Sequence, residues 1–182
     1  PKRWFIHALI FWPFAIRFTW GDVGLFMTNW VKGASLGWAL INKNHAITAF
    51  VFDLTGICLL VGIIMAFTRG AEADKTKTRD LPHQDRLALI LIGAIVVVGF
   101  ALEGMRIAMT GATDPACWAI IGYGISKLLT GMEGLTEMYG YFWYLHAILT
   151  GAFVAYLPFS KMLHIIMSPI VLAMNAAKDD HH

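Results

Sequence analysis

Apolar residues run through this chain in four long stretches, separated by shorter polar or glycine-dotted ones. The first extends from about Trp4 to Trp20 and the second from His45 to Phe67. The third runs from Leu87 to about Ala108, and the fourth starts near Tyr139 and continues past Pro158 to about Met167. Each approaches or exceeds the ~20 residues that carry a helix across a hydrocarbon core about 30 Å thick. The pattern predicts an all-α integral membrane protein with four visible transmembrane helices in one bundle, a single membrane domain over residues 1–182. Pro158 is expected to kink the last helix without ending it, because neighbouring helices and water can satisfy the carbonyl that proline frees.

The stretches between spans set an orientation. Calling the face where the first span begins side A, that side receives Lys2, Arg3, Arg69, Lys75, Lys77, Arg79, Arg86, Lys161 and Lys178, nine of the fourteen Lys and Arg residues. The positive-inside rule then makes side A cytoplasmic, with both ends of the chain on that side of a multi-pass cytoplasmic-membrane protein. On side B, the connections 21–44 and 109–138 are rich in Trp, Leu and Ile and read as interfacial segments. Trp20, Trp30, Trp38, Trp118, Tyr139, Tyr141 and Trp143 would form an aromatic belt there. The chain begins Pro1-Lys2-Arg3 with an apolar run directly behind, which leaves both a preceding span and a signal segment open.

Composition agrees with the pattern. Apolar residues make up 58% of the chain and charged ones 14%, with a mean hydropathy of +0.62, too apolar for an ordinary soluble domain. A formal net charge of +2, without a basic patch interleaved with aromatics, excludes a nucleic-acid footprint. Cys58 and Cys117 form no CxxC spacing and read as packing residues.

The candidate chemistry lies in the histidines. His146 and His164 are 18 residues apart, five whole turns, so a continuous helix would project both from one face, roughly 27 Å apart. His7 falls at the side A end of the first span and His45 at the side B start of the second. Sorted by depth, the four form two pairs, His7 with His164 and His45 with His146. Two imidazoles per site suit the axial ligation of a b-type haem, and two such haems make an electron path across the bilayer. Met65 and Met162 are alternative ligands. A lone histidine in a membrane helix is more often a packing residue, and the weight rests on the pairing by depth. His83, His181 and His182 lie in polar or terminal segments.

The stretch Tyr141-Phe-Trp-Tyr-Leu-His146, followed by Tyr156-Leu-Pro-Phe-Ser-Lys161-Met-Leu-His164, resembles the last haem-bearing helix of the nitrate reductase gamma subunit type of membrane cytochrome b. Lys2-Arg-Trp-Phe-Ile-His7, Asp53-Leu-Thr-Gly56 and Gly99-Phe-Ala-Leu-Glu-Gly-Met-Arg106 resemble the branch that serves heterodisulfide reductase and the sulfite-reductase-linked membrane complexes of sulfate reducers. The resemblance implies a five-helix subunit with two haem b groups, of which the first helix is not in this chain. It also implies menaquinone or a similar quinone as electron donor or acceptor, further membrane-complex subunits, and a cytoplasmic iron–sulfur partner resembling the heterodisulfide reductase catalytic subunit. There is one departure. The family carries two ligand histidines ten residues apart on one helix, whereas ten residues after His7 this chain has Arg17, which leaves the fourth ligand to His45 on depth alone.

Charges inside apolar spans add a second site. Arg17, Asp53, Glu103 and Arg106 all fall in the side B half, where an intramembrane charge costs about 2.5–3.5 kcal/mol unless it finds a partner. They should face one another, a haem propionate or a wet pocket. A quinone site needs a donor to the ring oxygen, for which Lys43 or Arg106 is suited, and carboxylates that move protons, for which Asp53 and Glu103 are suited. Arg17 reads as a propionate anchor, and structural ion pairs are the plain alternative. The sequence therefore predicts an electron-transfer subunit of an anaerobic respiratory oxidoreductase complex, in either direction between quinone and iron–sulfur partner. A haem-free anchor or transporter subunit is the rival reading.

Overall fold

The structure is a computed structural model that describes residues 2–31, 35–75, 83–111, 117–160, 167–168, 171–172 and 174–175. Among these the regular elements are all helical: α1 (Lys2–Trp30), α2 (Ser35–Ile41), α3 (Ala46–Lys75), α4 (His83–Thr110), α5 (Ile120–Leu129) and α6 (Leu135–Tyr156), the last followed by a 3₁₀ turn, Leu157–Phe159. Three segments are long and apolar enough to cross a membrane, Ser35–Gly70, Arg86–Thr110 and Leu135–Phe159. They correspond to the second, third and fourth spans read from the sequence. The 29 residues of α1 also suffice in length, about 43 Å, but four tryptophans and the charges of Lys2, Arg3, Arg17 and Asp22 keep it less apolar.

α1 does not stop at Trp20. It continues through Gly21 and Gly24 to Trp30, and α2 folds back along it. Gly24 of α1 and Gly37 of α2 serve close packing, while Gly21 has open space around it. A Cβ at Gly37 would lie 2.8 Å from the Thr28 backbone nitrogen, and one at Gly24 would lie 2.7 Å from Ile41 Cγ2. Trp20 Nε1 donates to the Leu40 carbonyl at 3.1 Å and ties the returning helix down. Pro13 is accommodated inside α1, with Gly62 of α3 set against the Leu9 carbonyl that proline leaves without its helical donor.

The side B connection between α4 and α6 also contains a helix of its own. α5 packs back on α4 through two glycines: a Cβ at Gly122 would lie 2.5 Å from Glu103 Cγ, and one at Gly104 would run into Ile125. This places α5 beside the outer half of the bundle rather than flat on its surface.

The end of α6 also differs from expectation. After the 3₁₀ turn that contains Pro158, Ser160 is extended at φ −103° and ψ 160°. The helix ends there, because proline removes a ladder donor and clashes with the preceding turn. The continuous helix assumed for His146 and His164 is overturned, and with it the inference that five turns place both on one face. His164 and Met162 lie outside the described residues.

Packing divides the bundle into two apolar clusters. The larger joins Ile6 of α1, Leu59 and Ile63 of α3, Ile92, Val96 and Phe100 of α4 and Phe153 of α6. A smaller one near side B joins Ala49, Ile107 and Ala119, with Tyr123 against them. Most of the polar side chains predicted from the sequence fall between the two.

Candidate functional site

Between the clusters lies a cavity of about 240 Å³ lined by Arg17 of α1, Lys43 of the α2–α3 turn, Ala49, Phe52 and Asp53 of α3, Gly99, Phe100, Leu102, Glu103 and Arg106 of α4, and Tyr139 and His146 of α6. The four charged residues expected from the sequence to meet, Arg17, Asp53, Glu103 and Arg106, line it together with Lys43. The spacing explains why. Asp53 is seven residues into α3 and Glu103 seven before the end of α4, so both sit about 10 Å inside their helices at one depth.

Each charge is held by a specific partner. Arg17 reaches from α1 to donate from Nη1 to the Phe52 carbonyl at 3.0 Å, with its guanidinium carbon 5.0 Å from the Phe52 ring centroid. It has room because residue 56 is glycine: a Cβ there would lie 2.7 Å from Arg17 Nη1 and 2.6 Å from Phe100 Cζ. Lys43 Nζ sits 2.8 Å from the centroid of the same Phe52 ring. Arg106 donates from Nη2 to Glu103 Oε1 at 2.6 Å, one helical turn away, and from Nη1 to Asn44 Oδ1.

Asp53 has a role the sequence did not suggest. Only 3% exposed, it accepts the Ile121 N–H at 2.6 Å through Oδ2, so a carboxylate of α3 supplies the acceptor at the N-terminus of α5. The first turn of a helix has unsatisfied donors and the positive end of its dipole, and Asp53 meets both. Its place in the cavity wall is thereby also a structural joint.

The histidines separate. His146 lines the cavity, half-buried, opposite Gly99, where an added Cβ would stand 3.5 Å from the ring. His45 lies at the turn before α3 and is exposed, and it is not part of the lining; of its neighbours Lys43 lines the cavity and Asn44 accepts from Arg106. His7 is exposed on α1, stacked on Phe11 with ring centroids 5.9 Å apart. Met65 packs against the larger apolar cluster. The sequence reading missed Asn44 as a partner for Arg106 and placed Tyr139 only in the aromatic belt. Tyr139 and His146 are seven residues apart, two turns of α6, and this spacing is the signal that could have found Tyr139.

Two buried side-chain atoms among the described residues lack a hydrogen-bond partner, Arg106 Nε and His146 Nδ1, and both belong to cavity-lining residues. Buried polar groups are almost always satisfied, so a pair of orphans around one cavity is the mark of a ligand site. Haem chemistry fits this wall in part. His146 has the character of an axial ligand and Arg17, Lys43 and Arg106 that of propionate partners, but among the described residues the lining holds a single imidazole. The volume, about 240 Å³, lies below the roughly 300–1,000 Å³ of sites that enclose drug-sized ligands.

The match to the nitrate reductase gamma subunit family covers residues 18–177. The chain belongs to that family. It is therefore a multi-pass membrane protein of a family of redox-complex subunits that work in electron transfer. It is 25% identical to the EtfAB:quinone oxidoreductase of Syntrophomonas wolfei over 92% of this chain and 24% of that protein. It is also 25% identical to a subunit of the dihydromethanophenazine:CoB–CoM heterodisulfide reductase of Methanosarcina acetivorans, over 96% of this chain and 59% of that one. The corresponding subunit from Methanosarcina mazei is 24% identical over 96% of this chain and 60% of its own length. The chain thus spans from about a quarter to three fifths of the length of these relatives. No solved structure matches it.

Proposed function

We propose that this family member carries electrons between a membrane quinone, bound in the cavity near side B, and an iron–sulfur partner at the cytoplasmic face on side A, by way of b-type haem. The observation that carries the reading is the cavity: three cations, two carboxylates and an imidazole around a space of about 240 Å³. Lys43 and Arg106 are placed to hold ring oxygens, and Glu103 and Asp53, each already engaged by a donor, are the carboxylates that would pass a proton. His146 borders the cavity from α6 and is the axial-ligand candidate nearest the quinone. His45 is its expected counterpart, and His7 with His164 remains the pair assigned to the inner haem. Haem, when bound, supplies one-electron transfer, so that the two electrons of a quinol leave singly. The relatives named for a quinone and for dihydromethanophenazine support a membrane-soluble electron carrier, and the family supports a redox complex around the chain.

The test is a reduced-minus-oxidised spectrum with haem extraction, counting haem per polypeptide in the full-length protein and in His146→Ala. Two b haems falling to about one is the expected result. One haem throughout would remove the outer haem from the scheme, and a colourless protein would leave an anchoring role in its place.

A further inference from the structure

Which form of head group the cavity takes, given the quinone reading above, depends on how its charges are already committed. Glu103 and Arg106 neutralise each other across one helical turn. Asp53 faces the N-terminus of α5, whose dipole brings about half a positive charge toward it. Arg17 and Lys43 remain. Arg17 donates to a neutral carbonyl, and both cations lie over the ring of Phe52. A carbonyl and an aromatic face make a cation more comfortable without cancelling its charge. The two orphaned atoms, Arg106 Nε and His146 Nδ1, add unsatisfied hydrogen-bonding capacity on the α4 and α6 walls.

We infer that the cavity binds its head group as an anion, an oxyanion carried on a flat conjugated ring, with Arg17 and Lys43 taking the negative oxygen and Arg106 and His146 bonding to the ring oxygens. A neutral quinone of the same shape leaves the net positive charge of three cations against two carboxylates uncompensated and binds less well. A haem propionate would present a similar oxyanion, and the experiment separates the two.

The probes are 2-hydroxy-1,4-naphthoquinone, ionised at neutral pH, and 2-methoxy-1,4-naphthoquinone, its neutral analogue. Equilibrium binding of both is measured on the full-length protein in its membrane complex. The anion is expected to bind about tenfold more tightly, the scale of one charge-assisted contact in a partly desolvated site. The preference should disappear in Lys43→Gln and return in Lys43→Arg, with haem content and helical circular dichroism unchanged. Equal affinity for the two probes in the intact protein would overturn the inference while leaving the quinone reading standing. A preference that survives Lys43→Gln would overturn it also. Loss of haem from Lys43→Gln in step with loss of the preference would assign the cation to a propionate instead. Binding of neither probe would remove the quinone reading itself, and this proposal with it.

Discussion

Replacing Asp53 tests the joint between α3 and α5. Its carboxylate is 3% exposed and accepts the Ile121 N–H at 2.6 Å, within the first turn of a ten-residue helix that has no side-chain cap from its own N-cap residue, Ala119. A hydrogen bond to a charged group contributes roughly 1.5–3 kcal/mol, and the interaction with the helix dipole adds some tenths to 2 kcal/mol. Asp53→Ala removes both and leaves a donor without its partner, so α5 should loosen by roughly 2–4 kcal/mol. Asp53→Asn keeps an acceptor and loses the charge, at a cost of about 1 kcal/mol. Amide hydrogen exchange followed by mass spectrometry reads this locally. At 1.4 kcal/mol per factor of ten, a loss of about 2 kcal/mol quickens exchange in α5 roughly thirtyfold, and a loss of about 1 kcal/mol roughly fivefold. The Val96–Phe100 stretch of α4, which belongs to the larger apolar cluster, should be unaffected. Unchanged exchange in α5 of the Ala variant would refute the argument, as would an Asn variant equally loosened.

The remaining expectations concern the cavity wall. Gly56→Ala places a methyl group 2.6 Å from Phe100 Cζ and 2.7 Å from Arg17 Nη1, which should lift Arg17 from the Phe52 carbonyl and cost about 1–3 kcal/mol. Thermal unfolding should show it as a fall of roughly 2–4 °C per kcal/mol, and an unshifted midpoint would mean that α1 and α3 can part without penalty. Glu103→Ala leaves Arg106 with Asn44 alone. Because the two side chains are 15% and 21% exposed, its cost should be about 2 kcal/mol, below the roughly 3–5 kcal/mol of a fully buried broken pair. A further Asn44→Ala change on that background should then cost more than it does alone, a coupling that a double-mutant cycle measures.

The parts of this molecule legible in its sequence are those governed by the cost of burying charge in an apolar medium. Arg17, Lys43, Asp53, Glu103 and Arg106 are spread over about 90 residues, yet each had to find a polar neighbour, and matching their depths sufficed to bring them to one place. Spans over α3 and α4 were legible for the same reason, as uninterrupted apolar length. The features that escaped depend on pairings with no local signal. Ile121 N–H meets a carboxylate 68 residues earlier, and nothing in a glycine-dotted stretch announces that its backbone will start a helix under Asp53. Gly24 and Gly37 look alike as helix breakers and as packing surfaces, and only the return of α2 decides between them. In the sequence Pro158 reads as a kink. The extended backbone at Ser160 makes it a stop, so a count of helical turns from His146 no longer reaches His164.

The helix that carries His146 is the least enclosed of the spans: 6% of its most apolar window is buried, against 33% and 39% for those of α4 and α3. It is seated on the bundle along α4, with His146 against Gly99, and through Phe153 edge-on to Phe14. Each residue of an α-helix advances the azimuth by about 100°, so a slip of one position would swing the imidazole off the cavity altogether. Aim, for this side chain, is a matter of angular register, maintained by the packing of α6 along α4 and by Phe153 in the larger apolar cluster.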